Sequence, residues 1–109
     1  MLTGPFLIER EVKVRPSLVV QADRLNQQLD DTIIALITSS QRRNIGSSTQ
    51  VLIEIDVVEG KQSGLRMDSI VQCENLLTLD QKFVIRTLGT LSDQIMQLVD
   101  DGLKSVLEL

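Results

Sequence analysis

The sequence predicts a mostly β (α+β) fold: a small, mainly antiparallel β-barrel with one C-terminal helix packed against it. Three observations carry this. Short runs rich in Val, Ile and Leu recur between polar connections, as strands do. Only the last segment switches to helical spacing. Strands that precede a single helix, rather than alternating with helices, favour antiparallel pairing. The 109 residues fit one domain, 1–109, with a modest core.

Each element has its own reason. FLIER at 6–10 is the candidate first strand, opened by Gly4-Pro5, with Phe6, Ile8 and Arg10 alternating against Leu7 and Glu9. Pro16 marks the mouth of the next strand, SLVVQ at 17–21, where a missing N–H is tolerated. ADRLNQQLDD reads as a polar surface connection with a single helical turn. TIIALIT at 32–38 is apolar and β-branched, hence a strand, and SSQRRNIGSSTQ is a polar loop. VLIEI at 51–55 is the next strand, Gly60 and Gly64 bracket a turn, and SIVQC (69–73) and KFVIRTL (82–88) complete the set. From Ser92, an N-cap, apolar residues fall at Ile95, Met96, Val99, Leu103, Val106 and Leu107 on one helical face. Asp93 sits favourably in the first turn. Gly102 costs that helix about 1 kcal/mol relative to alanine, or admits a close neighbour.

Composition removes whole classes of function. With no histidine and one cysteine, neither a Ser-His nor a Cys-His triad can be assembled, and a classical zinc site is excluded. There is no P-loop and no Gly-x-Gly-x-x-Gly. Asp30-Asp31 and Asp100-Asp101 read as solvated surface rather than metal ligands. Phe6 and Phe83 are the only aromatics, so few side chains can stack on bases. A net charge of −4 argues against nonspecific binding of polyanions.

The charge is unevenly spread. Residues 1–50 hold six Lys/Arg against five Asp/Glu, and residues 51–109 five against ten. Arg10, Lys13, Arg15, Arg42 and Arg43 could line a local basic groove on an acidic body. Cys73 cannot form an intrachain disulfide, which fits a reducing compartment. MLTGPFLIEREVK lacks the pattern of a signal peptide, and the longest apolar run is too short to span a bilayer. A soluble cytoplasmic protein is the expectation.

What chemistry is left is electrostatic. The Arg15 guanidinium matches a phosphate geometrically and stays charged at physiological pH. The Thr38 hydroxyl can donate to another phosphate oxygen. Cleavage of RNA by its own 2′-hydroxyl needs charge stabilisation and two proton transfers, which Arg15, Thr38 and a carboxylate can serve. On composition alone the plainer reading is preferred: Arg15 lies along its strand with its charge in water, and Thr38 caps a strand end.

KVRPSLVVQ, IIALITS, GLRMDSIVQCENLLTLD and VDDGLKSVLEL, in that order and spacing, resemble the MazF/PemK (Kid) family of toxin ribonucleases over residues 13–109. The resemblance implies an SH3-like barrel of the MazF/PemK/CcdB type that forms a homodimer. It implies sequence-specific cleavage of single-stranded RNA or mRNA, with no metal and no cofactor. A cognate MazE/PemI-like antitoxin is the implied partner, with no membrane association.

By the same resemblance, Arg15 binds the scissile phosphate and assists catalysis, and Thr38 stabilises that phosphate. Glu74 stands where the PemK branch carries a catalytic Asp within Arg-Cys-Asp; Gln72-Cys73-Glu74 keeps the carboxylate and replaces the arginine. Alternation puts Gln72 and Glu74 on one strand face. Asn75 stands where MazF members carry a base-contacting Gln. Lys13, Ser39, Arg42 and Arg43 complete the implied RNA-binding set. Asp68 and Ser69 match a structural Asp-Ser.

One departure stands out. The family's Arg-Gly-Asp/Glu-type first strand and Glu-Gln loop are missing before Arg15, with Glu9 and Glu11 merely near the acidic position. If FLIER is the first strand, only residues 11–14 lead to Arg15, and weakened cleavage is expected. Two other readings stay open. One is a barrel weak or inactive in catalysis that binds its antitoxin or another protein. The other is a gyrase poison like CcdB, whose Trp-Gly-Ile end is absent from this chain, which has no Trp and ends SVLEL.

Overall fold

A computed structural model describes residues 6–10, 15–39 and 47–109. The elements run β1 (Phe6–Arg10), β2 (Arg15–Val19), α1 (Asp23–Gln28), β3 (Asp31–Ser39), β4 (Gln50–Ile53), α2 (Val58–Lys61), β5 (Ser69–Asp80), β6 (Val84–Thr90) and α3 (Asp93–Leu107). A single 3-10 turn, Gln81–Phe83, leads into β6. The strands form one antiparallel sheet in the order β4-β5-β3-β2-β1-β6. The mostly β fold with a C-terminal helix is therefore as expected. Among the described residues, however, the hydrogen-bonded ladder does not close into a barrel, and β4 and β6 are its edges.

FLIER does fill the first strand. It lies between β2 and β6, pairing Arg10 with Arg15 on one side and Phe6 with Thr90 on the other. The strand β5 is longer than SIVQC suggested. Ala35 of β3 faces Leu76 while the next residue, Leu36, faces Gln72, so Cys73, Glu74 and Asn75 are extra on β5. This bulge interrupts the alternation that marks a strand in sequence, and it redirects the chain. The first part of β5 pairs with both β3 and β4, the second with β3 alone.

Each sheet face carries buried apolar residues. Leu7, Leu18 and Ala35 stand opposite one another across β1, β2 and β3 and share the larger core with Val71, Ile95 and Val99. Ile8, Val19 and Ile34 form a smaller core, and strand alternation places them on the other face. Among the described residues both cores are built mainly from aliphatic side chains, with Cys73 and Met96 joining the larger.

The helix α3 begins where its N-cap predicts: the Ile95 N–H donates to Ser92 Oγ at 3.2 Å, and Asp93 occupies the first turn. Ile95, Val99 and Gly102 are buried against the sheet, whereas Leu107 is left exposed at the last turn. Gly102 marks a close approach, since a Cβ there would sit 2.8 Å from Cys73 Sγ.

The connection expected on the surface is pinned instead. Asn26 on α1 is fully buried. Its Oδ1 accepts from Thr32 Oγ1 at 2.6 Å and from Gln21 Nε2 at 2.8 Å, and its Nδ2 donates to the Gln21 carbonyl at 3.1 Å. Polar composition signalled exposure, but a satisfied amide can be buried at little cost. Among the described residues, no helix is long and apolar enough to cross a membrane.

Candidate functional site

The strand β2 opens on Arg15-Pro16, and its ladder with β3 begins at Ser17, opposite Leu36. Pro16 lies just beyond the β2–β3 pairing and opposite Glu9 of β1, at the mouth of its strand, where a proline is tolerated. Continuing this antiparallel register by two residues brings Arg15 across from Thr38. Thr38 and Ser39 end β3, held on their other side by Ile70 and Ser69 of β5. The Arg-Pro start of one strand and the Thr-Ser end of its neighbour thus meet at one edge.

That edge opens into a cleft of about 460 Å³ lined by Arg15, Thr38 and Ser39. Two further guanidiniums, Arg66 and Arg86, also line it, as does one carboxylate, Glu9. Pro16, Leu65, Met67 and Leu88 supply an apolar portion. The cationic excess suits a phosphodiester beside an apolar sugar or base edge.

The charges are not equivalent. Glu9 accepts two hydrogen bonds from Arg86, Nη2 to Oε1 at 2.9 Å and Nε to Oε2 at 3.1 Å. These bonds hold the Glu9 carboxyl below its ordinary range against opposing desolvation, and the charges of Arg86 and Arg66 add to the lowering. The same bonds raise the Arg86 pKa. Arg15 and Arg66, by contrast, have no hydrogen bond or ion pair among the described residues, and neither do the hydroxyls of Thr38 and Ser39. Two guanidiniums and two hydroxyls are thus left for a ligand.

The connection that carries Arg66 is tied down on both sides. Ser63 Oγ donates to the Gly60 carbonyl at 2.6 Å and accepts from the Leu65 N–H at 3.2 Å. Asp68 accepts from the Ile55 N–H at 3.0 Å, and Ser69 Oγ donates to the Met67 carbonyl at 2.9 Å. Asp68 and Ser69 accordingly have the structural role expected of them.

Glu74 does not line this cleft. Its Oε1 accepts from Thr49 Oγ1 at 3.1 Å and its Oε2 from Gln50 Nε2 at 2.9 Å, which ties the bulge of β5 to the start of β4. Asn75 Nδ2 donates to Gln72 Oε1 at 3.4 Å, a long contact. Gln72 pairs with Leu36 and Gln50, and Ile70, two residues earlier, pairs with Thr38. Gln72 and Thr38 therefore share a sheet face. Cys73 points the other way, into the core, where burial and the nearby charges of Glu74 and Asp100 push its thiol up to about 11. Lys13, Arg42 and Arg43 lie outside the described residues.

Neither Arg66 nor Arg86 carries a local signal of function in the sequence. Arg66 stands two residues before the Asp-Ser pair, in a turn with no periodicity of its own. The partnership of Arg86 with Glu9 spans 77 positions, and nothing local places β6 beside β1.

Residues 5–107 match the family of PemK-like, MazF-like toxins of type II toxin–antitoxin systems. The chain is 31% identical over 106 residues to Endoribonuclease EndoA of Bacillus subtilis, covering 97% of this chain and 86% of that protein. It is 28% identical over 106 residues to Endoribonuclease MazF6 of Mycobacterium tuberculosis, covering 97% and 89%. Among solved structures, a mycobacterial endoribonuclease in complex with its cognate antitoxin superposes with a TM-score of 0.83 at 20% identity, covering all of this chain and 97% of that one. The Mycobacterium tuberculosis toxin MazF-mt6 gives 0.78 at 23% identity, covering 97% and 98%. With the family match running almost end to end, and EndoA similar over nearly the same span, the chain belongs to the PemK-like, MazF-like toxins of type II toxin–antitoxin systems.

Proposed function

We propose that the chain is a toxin endoribonuclease that cleaves single-stranded RNA in the cleft between Arg15 and Thr38. One observation carries this. A guanidinium and a hydroxyl, without partners among the described residues and from the ends of adjacent strands, line one cationic cleft in a family whose relatives are named endoribonucleases.

The reaction asks for little beyond charge and position. The 2′-oxygen of one nucleotide bonds to the adjacent phosphorus, and the bond from phosphorus to the 5′-oxygen breaks. The 2′ proton leaves to a base, and the departing oxygen gains one. Negative charge grows on the non-bridging oxygens, where Arg15 donates from its fork and Thr38 and Ser39 from their hydroxyls. All of this stabilisation comes from side chains, so cleavage is expected in EDTA.

RNA leaving the cleft meets Gln72 and Asn75 on the β3–β5 surface. Glu74 has a supporting role, holding the β5 bulge against β4. Lys13 precedes β2 and Arg42 and Arg43 follow β3, so all three are assigned to neighbouring phosphates. The active form is a homodimer in the cytoplasm, neutralised by a cognate antitoxin. An acidic segment of that antitoxin would compete for the same guanidiniums.

Incubating purified protein with end-labelled single-stranded RNA in EDTA tests this. Arg15→Ala and Thr38→Ala should each slow cutting by roughly 10²–10³-fold, with thermal melts close to the parent's. Both variants cutting at the parent rate would move the site elsewhere. A parent that leaves RNA intact would remove the ribonuclease reading.

A further inference from the structure

The geometry points to Arg66 as a substrate-binding residue that grips the phosphate next to the scissile one and so sets the register of the strand. This rests on the reading of the cleft as an RNA site.

Arg66 lines the same cleft as Arg15 and Thr38 but comes from a different wall, the connection between α2 and β5. The two arginines therefore approach one bound strand from separate directions. Arg86 cannot serve equally, because Glu9 already occupies its Nε and Nη2 donors. Arg66 is exposed and has no hydrogen bond or ion pair among the described residues. Its charge reaches Glu9 through space, but the carboxylate's bonds go to Arg86.

An unpaired arginine on a loose loop would mean little. This one stands on a fixed base. Gly64 has φ +75° and lies so close to β6 that a Cβ would come within 2.1 Å of the Leu88 carbonyl oxygen. The backbone is then bonded at Ser63–Leu65 on one side of Arg66 and at Met67–Ser69 on the other. Only the side chain must be ordered when a phosphate arrives, which keeps the entropic penalty of binding low. Leu65 and Met67 flank Arg66 and place apolar surface beside the charge.

A contact to a phosphate that does not react is made equally in ground and transition states. Its loss raises KM and leaves kcat alone. Arg66→Gln should therefore raise KM about tenfold, the scale of one charge-assisted hydrogen bond, with kcat within about twofold. Binding is read separately, using an RNA oligonucleotide that carries a 2′-deoxy sugar at the nucleotide the parent cleaves. There, Arg66→Gln should flatten the slope of log affinity against log salt by about 0.7, the value for one phosphate on a single strand. Arg66→Lys should recover part of the loss, and Arg24→Gln, an equal charge change on the exposed face of α1, should change neither readout. The proposal is overturned if Arg66→Gln behaves like Arg24→Gln while the parent cuts normally, or if its loss falls on kcat. A parent that neither binds nor cuts RNA takes the underlying ribonuclease reading down with it.

Discussion

Glu9 and Arg86 face each other directly across the β1–β6 ladder and close a two-pronged ion pair, at 2.9 and 3.1 Å. It lies in the wall of the cationic cleft and ties up one of the three guanidiniums that line it among the described residues. Glu9→Gln would free Arg86 and delete the one carboxylate that lines the cleft among the described residues. The expected result is tighter binding to any single-stranded RNA, with a salt slope steeper by about 0.7. Titrations at several salt concentrations check this, and weaker binding by the variant would contradict it.

The same pair has a pH signature. Its hydrogen bonds lower the Glu9 pKa from an ordinary 4.5, so its contribution to stability is present above that value. It is lost as pH falls through the lowered folded value. Urea denaturation of the parent and Glu9→Gln should differ at neutral pH and converge in acid below about 4.5. A gap that widens in acid would reverse the sign argued here.

Gly102→Ala sets helix propensity against packing. Propensity favours alanine by about 1 kcal/mol. The new methyl, however, would stand 2.8 Å from the Sγ of fully buried Cys73, and overpacking costs roughly 1–3 kcal/mol. Net destabilisation is expected, relieved when Cys73→Ala makes room. A double-mutant cycle in denaturant measures that coupling. Additive losses, or a single variant stabler than the parent, would refute it.

Gly64→Ala should harm both stability and cleavage. Its positive φ alone costs an alanine about 1–2 kcal/mol, and the Leu88 carbonyl oxygen blocks the methyl. Because residues 65–67 form one wall of the cleft, relief by backbone movement displaces Arg66. Melting and KM measured together should shift together. A variant that melts lower but keeps the parent's KM would separate the loop's fold from its role.

Glu74→Ala distinguishes the cleft from the β5 bulge. Glu74 bonds to Thr49 and Gln50 rather than lining the cleft, so its removal should slow cutting less than about tenfold. Arg15→Ala is expected to lose roughly 10²–10³. Equal losses in a cleavage assay would bring Glu74 into the reacting group.

What the sequence determined by itself is what local pattern encodes. Short apolar, β-branched runs between turn residues marked the strands, and alternation added the facing of β1. The N-cap at Ser92 and the spacing of Ile95 and Val99 marked α3 and its buried face. Arg15 and Thr38 were legible as strand-end residues with the right donors. Tertiary structure decided what depends on distant pairing. The bulge at residues 73–75 arises from the match of β5 to β3, and its Glu-Asn interruption hid the second half of the strand. Asn26 is polar, yet Gln21 and Thr32 satisfy it inside the protein. Arg66 and Arg86 joined the cleft only because β6 pairs with β1 and Gly64 packs against Leu88. Sequence periodicity reports which way a side chain faces on its own element. Which element it then meets is set by strand order and register, and those are properties of the assembled sheet.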